Sequence, residues 1–451
     1  MKKNIDLNKT RIYSDFVFDF LNGNKALKKF YNSSFDIKNF KKQLGMKKSF
    51  SLSKRNALVK ELLSQYSDIK NKKVLKNINL LSKESTFTIT TGHQLNILTG
   101  PIFFIYKIIS VINMCVKLKR EYPKNNFIPV FWLASEDHDF EEISEVYFRD
   151  KKINYLTKLN GSVGRMKLDE FSVFLDQIFS FFPTNLLAKK IKKIITSAYK
   201  DEFTLAKATR NLVHQLFGDK GLIIIDPDSH KLKKVFASYM EDELKNNTCQ
   251  EFVNKTVKSI KEVYSEKYIP QVNPREINLF HLNVNSRQRI IKKGLKYILS
   301  DRNVSQQEML NELKKKAENF SPNVLMRPLY QEVILPNLCY IGGPSEMSYW
   351  LQLKSFFDYH GVVFPIINPR ASVLLLTQKT RRKINKYLIN ENEIEVGDMG
   401  LGSARFIHGV DQIDNFKDSE NNIPGSQSTF TALRNLGDYV DFSPKPRYLP
   451  E

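Results

Sequence analysis

Cysteine is scarce in this chain: three residues in 451, Cys115, Cys249 and Cys339, at unrelated spacings. That pattern gives neither a disulfide framework nor the ligand spacing of a zinc site. No apolar run approaches the roughly 18 residues that a membrane-spanning helix needs. The opening stretch, MKKNIDLNKTRIYSDF, has no apolar segment of the kind that marks a secretory signal. These absences point to a reducing cytoplasm and away from a membrane. The sequence also lacks GxxxxGK[ST], GxGxxG, GxSxG and a Ser-His-Asp order, so it is not a P-loop protein, a standard dinucleotide binder or a serine hydrolase. Acidic residues are few beside basic ones, 48 against 70, leaving a formal net charge of +22. Such a charge invites a nucleic-acid reading. Only 17 of the basic residues are Arg, however, and the lysines are spread over the whole chain. Lys is the poorer bidentate partner of phosphates and bases. Nucleic acid is therefore not an expected partner; a basic face toward small anions fits better.

What is present is a core. The chain has 32 Phe and 19 Tyr, and 41% of its residues are hydrophobic, too many for a disordered protein. Length alone allows two to four domains or one elaborated one. Residues 1–85 read as helical, with apolar residues at helical spacing in FDIKNFKKQLG and NALVKELLSQYSDI and no Pro before Pro101. TFTITT follows as a short strand ended by Gly92, then a Gly-bounded turn, then Pro101 opening a helix apolar on most faces, IFFIYKIISVINMCVKLKREY. NFIPVFWLAS is a continuous apolar strand expected to lie parallel to the first. Residues 150–220 read as mainly helical. GLIIIDPDSHKLKKVF repeats strand, acidic turn and helix. Residues 237–320 read as charged and helical, broken by an extended YIPQVNPREINLFHLNV. A helix and strand lie within 324–341, a Gly turn and helix follow, and VVFPIINPR is a last strand. This alternation predicts an α/β fold: a Rossmann-like parallel sheet core over 86–375, with helical insertions around 150–220 and 237–320, an N-terminal helical segment over 1–85 and a short irregular tail over 376–451.

Ligands of open parallel sheets bind outside the carboxyl ends of the strands, so the strand-ending turns are where chemistry is expected. TTGHQLNILTGP places Gly92, His93, Gln94, Thr99 and Gly100 before a helix. Its backbone suits a phosphate or carboxylate, or it is simply a tight turn. SEDHDFEE puts Glu136, Asp137, His138 and Asp139 after the most apolar strand. Such acids can orient an amine, act as a base or hold a metal, though no second ligand motif accompanies them; alternatively Asp139 caps a helix whose dipole takes up Glu141, Glu142 and Glu145. YIGGPSEM lets a ligand approach Gly342 and Gly343 closely, with Glu346 in the next helical turn, or is a plain turn capped by Ser345. Arg275, Arg327 and Arg370 each neighbour a Pro, and an Arg at a strand end can clamp an anion. Asp226 and Asp228 fit turn formation as well as function. Cys339 reads as a small core residue. No set of residues has the spacing of a metal site.

Five blocks in order, TGHQLNILTGPIFFIYKIISVI, PVFWLASEDHDFEEISEVYF, PQVNPREINLF, LPNLCYIGGPSEMSYWLQLK and FPIINPRAS, together with GLIIIDPD and SDFVFDFLNGNKALKKFYN, resemble the cysteine ligase family of bacillithiol biosynthesis, BshC. The resemblance covers about residues 10–376. It implies a Rossmann-like core akin to class I aminoacyl-tRNA synthetases, and a cytoplasmic ligase joining L-cysteine to glucosaminyl-malate through an amide bond, with ATP as activator. It places the TGHQ–LTGP turn where related ligases carry their HIGH motif. By that resemblance His93, Asp137, His138 and Glu136 are the catalytic candidates. Gly92, Gln94, Thr99, Gly100, Lys107, Gly342 and Gly343 would hold the nucleotide; Asp139, Glu346, Arg370 and Arg327 would hold substrate. The family continues into a dimerising coiled coil. Here only RRKINKYLINENEIE precedes a Gly/Asn-rich tail without sustained heptads. The coiled coil is thus expected to be missing or truncated, and the homodimer that the family implies is not expected to form through it. The alternative is a catalytically impaired nucleotide-binding module.

Overall fold

In the computed structural model the described residues are 13–375, apart from 149–150, 158–159, 266–267, 284 and 301, together with Arg382 and short strand segments at 3–4, 394–396, 404–406 and 439–441. Most of the segment read as a truncated coiled coil and tail lies outside them.

The centre is a five-stranded parallel sheet: β1 (Thr86–His93), β2 (Asn126–Leu133), β3 (Ile223–Ile225), β4 (Asn337–Gly342) and β5 (Ile366–Pro369). Its spatial order is β3–β2–β1–β4–β5, the doubly wound arrangement in which the order reverses between β1 and β4. Parallel strands covered on both faces read as unbroken apolar or β-branched runs, and β1 and β2 do so. The threonines of β1 are not wasted polarity. Thr88 and Thr90 donate to Asn337 Oδ1 at 3.2 and 2.8 Å, and Thr91 to the Ile341 carbonyl at 2.7 Å, so each buried hydroxyl is paired.

Helix α1 (Phe103–Glu121) lies on one face. It buries the stripe Phe104, Lys107, Ile108, Val111, Cys115 and Leu118, not most of its circumference as its composition suggests. Phe40, from an N-terminal helix, joins that layer with Phe87, Ile89, Cys339 and Ile366. On the other face Ile128, Val130, Trp132 and Tyr340 pack with α2 (His230–Asn246), α3 (Arg327–Ile334) and α4 (Pro344–Leu351). Between β2 and β3 the chain adds a hairpin (Glu145–Phe148 with Lys151–Asn154) and three helices, Phe171–Ser180, Leu186–Ala198 and Leu205–Phe217. These form a second core around Tyr155, Phe171 and Tyr199.

Several local expectations change. Gly92 does not end β1; it sits within it, opposite Trp132. The acids after β2 do not begin a helix. The chain runs through turns into the Glu145–Phe148 hairpin, so no helix dipole receives Glu141, Glu142 or Glu145. α4 begins at Pro344 with Gly343 rather than Ser345 as its cap. The span 286–305, read as charged helix, is instead four short strands, Ser286–Arg289, Ile291–Lys293, Lys296–Ile298 and Asn303–Ser305. Gly294, at φ +59°, makes the turn between two of them, a conformation that glycine adopts without steric cost.

Candidate active site

The carboxyl ends of β1 and β4 flank the point where strand order reverses. From α1, Lys107 reaches this point through an otherwise apolar stripe. Its Nζ contacts Glu346 Oε2 at 2.5 Å and donates to the Gly92 carbonyl at 3.0 Å. Glu346, on the first turn of α4, also accepts from Tyr340 OH at 2.5 Å and from the Gly343 N–H at 2.8 Å. Burial alone would raise the Glu346 pKa, yet the Lys107 ammonium and these hydrogen bonds hold it below its ordinary value. Lys107 is itself pulled down, first by burial, with Arg370 and Arg327 adding to the effect against the pull of Glu346. Arg370, just past β5, lies over the Phe103 ring at 4.9 Å. It donates to the Ala371 carbonyl and Ser372 Oγ at 3.3 and 3.4 Å. Its Nε is buried with no partner. A Cβ added at Gly343 would come 3.3 Å from that Nε, so the missing side chain leaves a cradle beside an unused donor. Arg327, partly buried, packs among the rings of Trp132, Tyr340 and Trp350. Three cations therefore face one carboxylate here, an arrangement that favours an anion.

His93 ends β1 beside this cluster. Its ring packs against Phe103 and Phe104. Burial, then the Lys107 ammonium, lower its pKa to about 3, so the ring is neutral at physiological pH. Its Nδ1 sits 3.2 Å from the Gln94 carbonyl; that oxygen only accepts, so Nδ1 carries the proton and Nε2 is left as an acceptor. The turn beyond it is unusual. Leu98, Thr99 and Gly100 all have positive φ, at 54°, 75° and 54°, and non-glycine residues adopt that region rarely. Thr99 and Gly100 donate their N–H groups to the carbonyls of Asn96 and Ile97.

A second cluster follows β2. Asp137 Oδ2 accepts from Gln94 Nε2 at 3.0 Å, and the same amide donates to Glu142 Oε2 at 2.7 Å, so the β1 and β2 turns are tied together. Burial would raise the Asp137 pKa, but Gln94, Arg287 and the His138 N–H outweigh it and lower the value. Asp137 is therefore a carboxylate. His138 and Asp139 are exposed, and Asp139 accepts from the Glu142 N–H at 3.3 Å. Glu136 turns elsewhere. It contacts Lys233 Nζ of α2 at 2.6 Å, and Lys233 also meets Asp228 at 3.0 Å. Asp228 in turn takes Arg165 through both oxygens at 2.6 and 2.7 Å. Beside this network opens a cavity of about 650 Å³ lined by Gln65, Arg165, Lys207, Arg210, Asp226 and Asp228 among others. Its lining includes none of His93, Lys107, Glu346 or Arg370. Among the described residues no group of three or more His, Cys, Asp or Glu is gathered as metal ligands, and no helix is long and apolar enough to cross a membrane.

The model of the family described as "Bacillithiol biosynthesis BshC, N-terminal Rossmann-like domain" matches residues 1–371. The chain belongs to the BshC family. A relative from Flavobacterium johnsoniae named "Putative cysteine ligase BshC" is 46% identical over 378 residues, 83% of this chain and 70% of the relative. Relatives of the same name from Flavobacterium psychrophilum and Bacillus mycoides are 43% and 27% identical, covering 86% and 81% of this chain and 73% and 69% of theirs. In this BshC chain Gly92, His93, Lys107, Gly343, Glu346 and Arg370 come together at the β1–β4 crossover. Gly342 ends β4 one residue before, and Arg327 stands behind. Gln94, Asp137 and His138 form the neighbouring cluster. Glu136 belongs to the Lys233 network. Sequence reasoning missed Arg287, whose Nη1 lies 3.1 Å from His138 Nδ1 and 3.6 Å from Asp137 Oδ1, and did not foresee the pairing of Lys107 with Glu346. The signal for Lys107 was available: a lysine within the apolar stripe of an amphipathic helix is buried, and buried lysines are paired.

Proposed function

We propose that this protein catalyses the last step of bacillithiol synthesis in the cytoplasm, joining the carboxyl group of L-cysteine to the amine of glucosaminyl-malate with consumption of ATP. The observation that carries this reading is the separation of charge along one sheet edge. Three cations, Lys107, Arg327 and Arg370, meet the single carboxylate Glu346 at the β1–β4 crossover, while an ionised Asp137 stands at the end of β2. A carboxylate and an amine do not condense unaided in water, so the acid must first be activated by phosphoryl or nucleotidyl transfer. The cradle at Gly343 with the free Nε of Arg370 suits the phosphates of ATP. The Nε2 acceptor of neutral His93 suits a hydroxyl or N–H group of a ligand better than a phosphate oxygen.

Asp137 then holds the glucosamine nitrogen as an ammonium. Its lowered pKa makes it a strong electrostatic anchor and a weak base. The nucleophile must be the neutral amine, so one proton leaves before attack and one after. Both pass to water on the exposed side of this cluster, where His138 stands beside Asp137. The C–N bond forms as the C–O bond to the phosphate-bearing leaving group breaks. The test is a reconstitution with purified protein. ATP should be consumed, and the thiol product detected by mass, only when cysteine and glucosaminyl-malate are both present. ATP binding without turnover would instead identify a nucleotide-binding module. Asp137→Ala with unchanged output would remove Asp137 from the mechanism.

A further inference from the structure

We infer that Arg287 is a positioning residue that fixes His138 as the neutral tautomer protonated on Nε2, so that the half-exposed ring presents an N–H donor beside Asp137. Arg287 comes from outside the parallel core. It sits on the short strand Ser286–Arg289, paired antiparallel with Leu279–Asn283 so that Arg287 lies opposite Leu282. Phe280 is then its diagonal neighbour on the same face, and the guanidinium lies 3.8 Å from the centre of that ring. Its Nε is 3.3 Å from Ser321 Oγ and its Nη2 is 3.4 Å from the Pro322 carbonyl. Only 8% of its side chain is exposed. Stacked and bonded on three sides, the group has one edge left, and that edge faces the β2 turn.

There Nη1 lies 3.1 Å from His138 Nδ1. A guanidinium has donors only and does not lose its proton in proteins. The contact therefore requires a lone pair on Nδ1, which leaves the ring proton of neutral His138 on Nε2. The competing arrangement is an Nδ1–H donating to Asp137 Oδ1, 3.4 Å away. That oxygen already accepts the backbone N–H of His138 at 2.8 Å, and an Nδ1–H would point at the Arg287 donor. The surrounding groups agree. Glu142 is engaged by Gln94. Arg275 faces the Phe280 ring at 5.5 Å. Phe280 flanks His138 at 5.7 Å. In His93, the other imidazole of the site, a backbone carbonyl holds the opposite tautomer, so the two rings offer complementary edges: an acceptor from His93 and a donor from His138.

The tautomer does not depend on the ligase reading; its kinetic consequence does. The test uses the full chain labelled with 15N-histidine, with long-range proton–nitrogen correlations recorded at a pH where the imidazoles are neutral. The His138 signal, one of seven, is assigned by its loss in His138→Gln. Nδ1 is expected at the shift of a bare ring nitrogen and Nε2 at that of a protonated one. Arg287→Met keeps the stack on Phe280 and removes the donor; it should move His138 toward a mixture of tautomers. Arg287→Lys should keep the wild-type signature. In the ligation assay Arg287→Met should lower kcat about tenfold or more and leave the KM for cysteine within about twofold. A protonated Nδ1 in the wild type, or a signature indifferent to Arg287→Met in a protein whose other histidine signals are unmoved, overturns the inference. If ligation fails altogether while the nitrogen shifts follow this pattern, the proposed reaction falls and the role of Arg287 stands.

Discussion

At the scale of single residues, the site works by setting protonation states with neighbours. Lys107 and Glu346 keep each other charged where burial disfavours charge. Asp137 stays ionised because Gln94, Arg287 and a backbone N–H stabilise its anion. His93 is the opposite case, kept neutral by burial and by an adjacent ammonium. The consequence for stability has a definite sign. Its folded pKa is about 3 against an ordinary 6.5. Below pH 6.5 the unfolded chain takes up a proton that the folded chain refuses, so acid favours unfolding down to about pH 3. Between pH 7 and 5 this group alone should lower stability by about 2 kcal/mol at most. His93→Asn should lose that part of the pH dependence, read as a smaller difference between denaturant midpoints at pH 7 and pH 5. An unchanged difference would mean that His93 is protonated freely in the folded protein.

At the scale of elements, the turns after the strands are tied together by side chains remote in sequence. α2 supplies the clearest case. Lys233 is fully buried and holds Glu136 of the β2 turn and Asp228 of the β3 turn. Breaking one partner of a buried ion pair leaves an uncompensated charge and costs about 3–5 kcal/mol. Lys233→Met should therefore destabilise strongly and disturb the turn that carries Asp137. Adding Glu136→Gln should restore part of the loss, because the orphaned carboxylate is removed. A double variant as unstable as the sum of both single changes would show that the pair does not couple these elements. The strands and α1 were legible in the sequence because buried parallel strands and an amphipathic helix write period and length directly into apolar residues. The acidic turn after β2 was legible too, as was the strand that leads into Arg370. What joined them was not. Lys107 meets Glu346 only because β1 and β4 are neighbours in a doubly wound sheet, and the intervening chain says nothing of that pairing. The strand holding Arg287 reads SRQR, with no alternation to mark it, and its identity as a strand rests on pairing with Leu279–Asn283. The acids after β2 have the composition of a helix start, yet the chain turns into a hairpin.

At the scale of the whole molecule, the +22 charge is distributed, not concentrated. Among the described residues, exposed lysines such as Lys28, Lys41, Lys190, Lys193 and Lys315 lie on separate N-terminal, inserted and later elements, spread along the chain and not gathered in one basic segment. A diffuse positive potential attracts small polyanions from all sides, and the proposed function has the strand ends with three cations against one carboxylate hold them. Such steering is long-ranged and screened over about 10 Å at 0.1 M salt. Raising ionic strength from about 50 to 300 mM should thus lower kcat/KM for glucosaminyl-malate several-fold while leaving kcat nearly constant, since substrate capture weakens and the bound geometry does not change. Cysteine, a zwitterion near neutral pH, should respond much less, and it serves as the internal control. Equal salt responses for the two substrates would mean that the field plays no part in capture. A steep, log-linear loss of duplex binding over the same range, at comparable affinity, would return the excess charge to a nucleic-acid role.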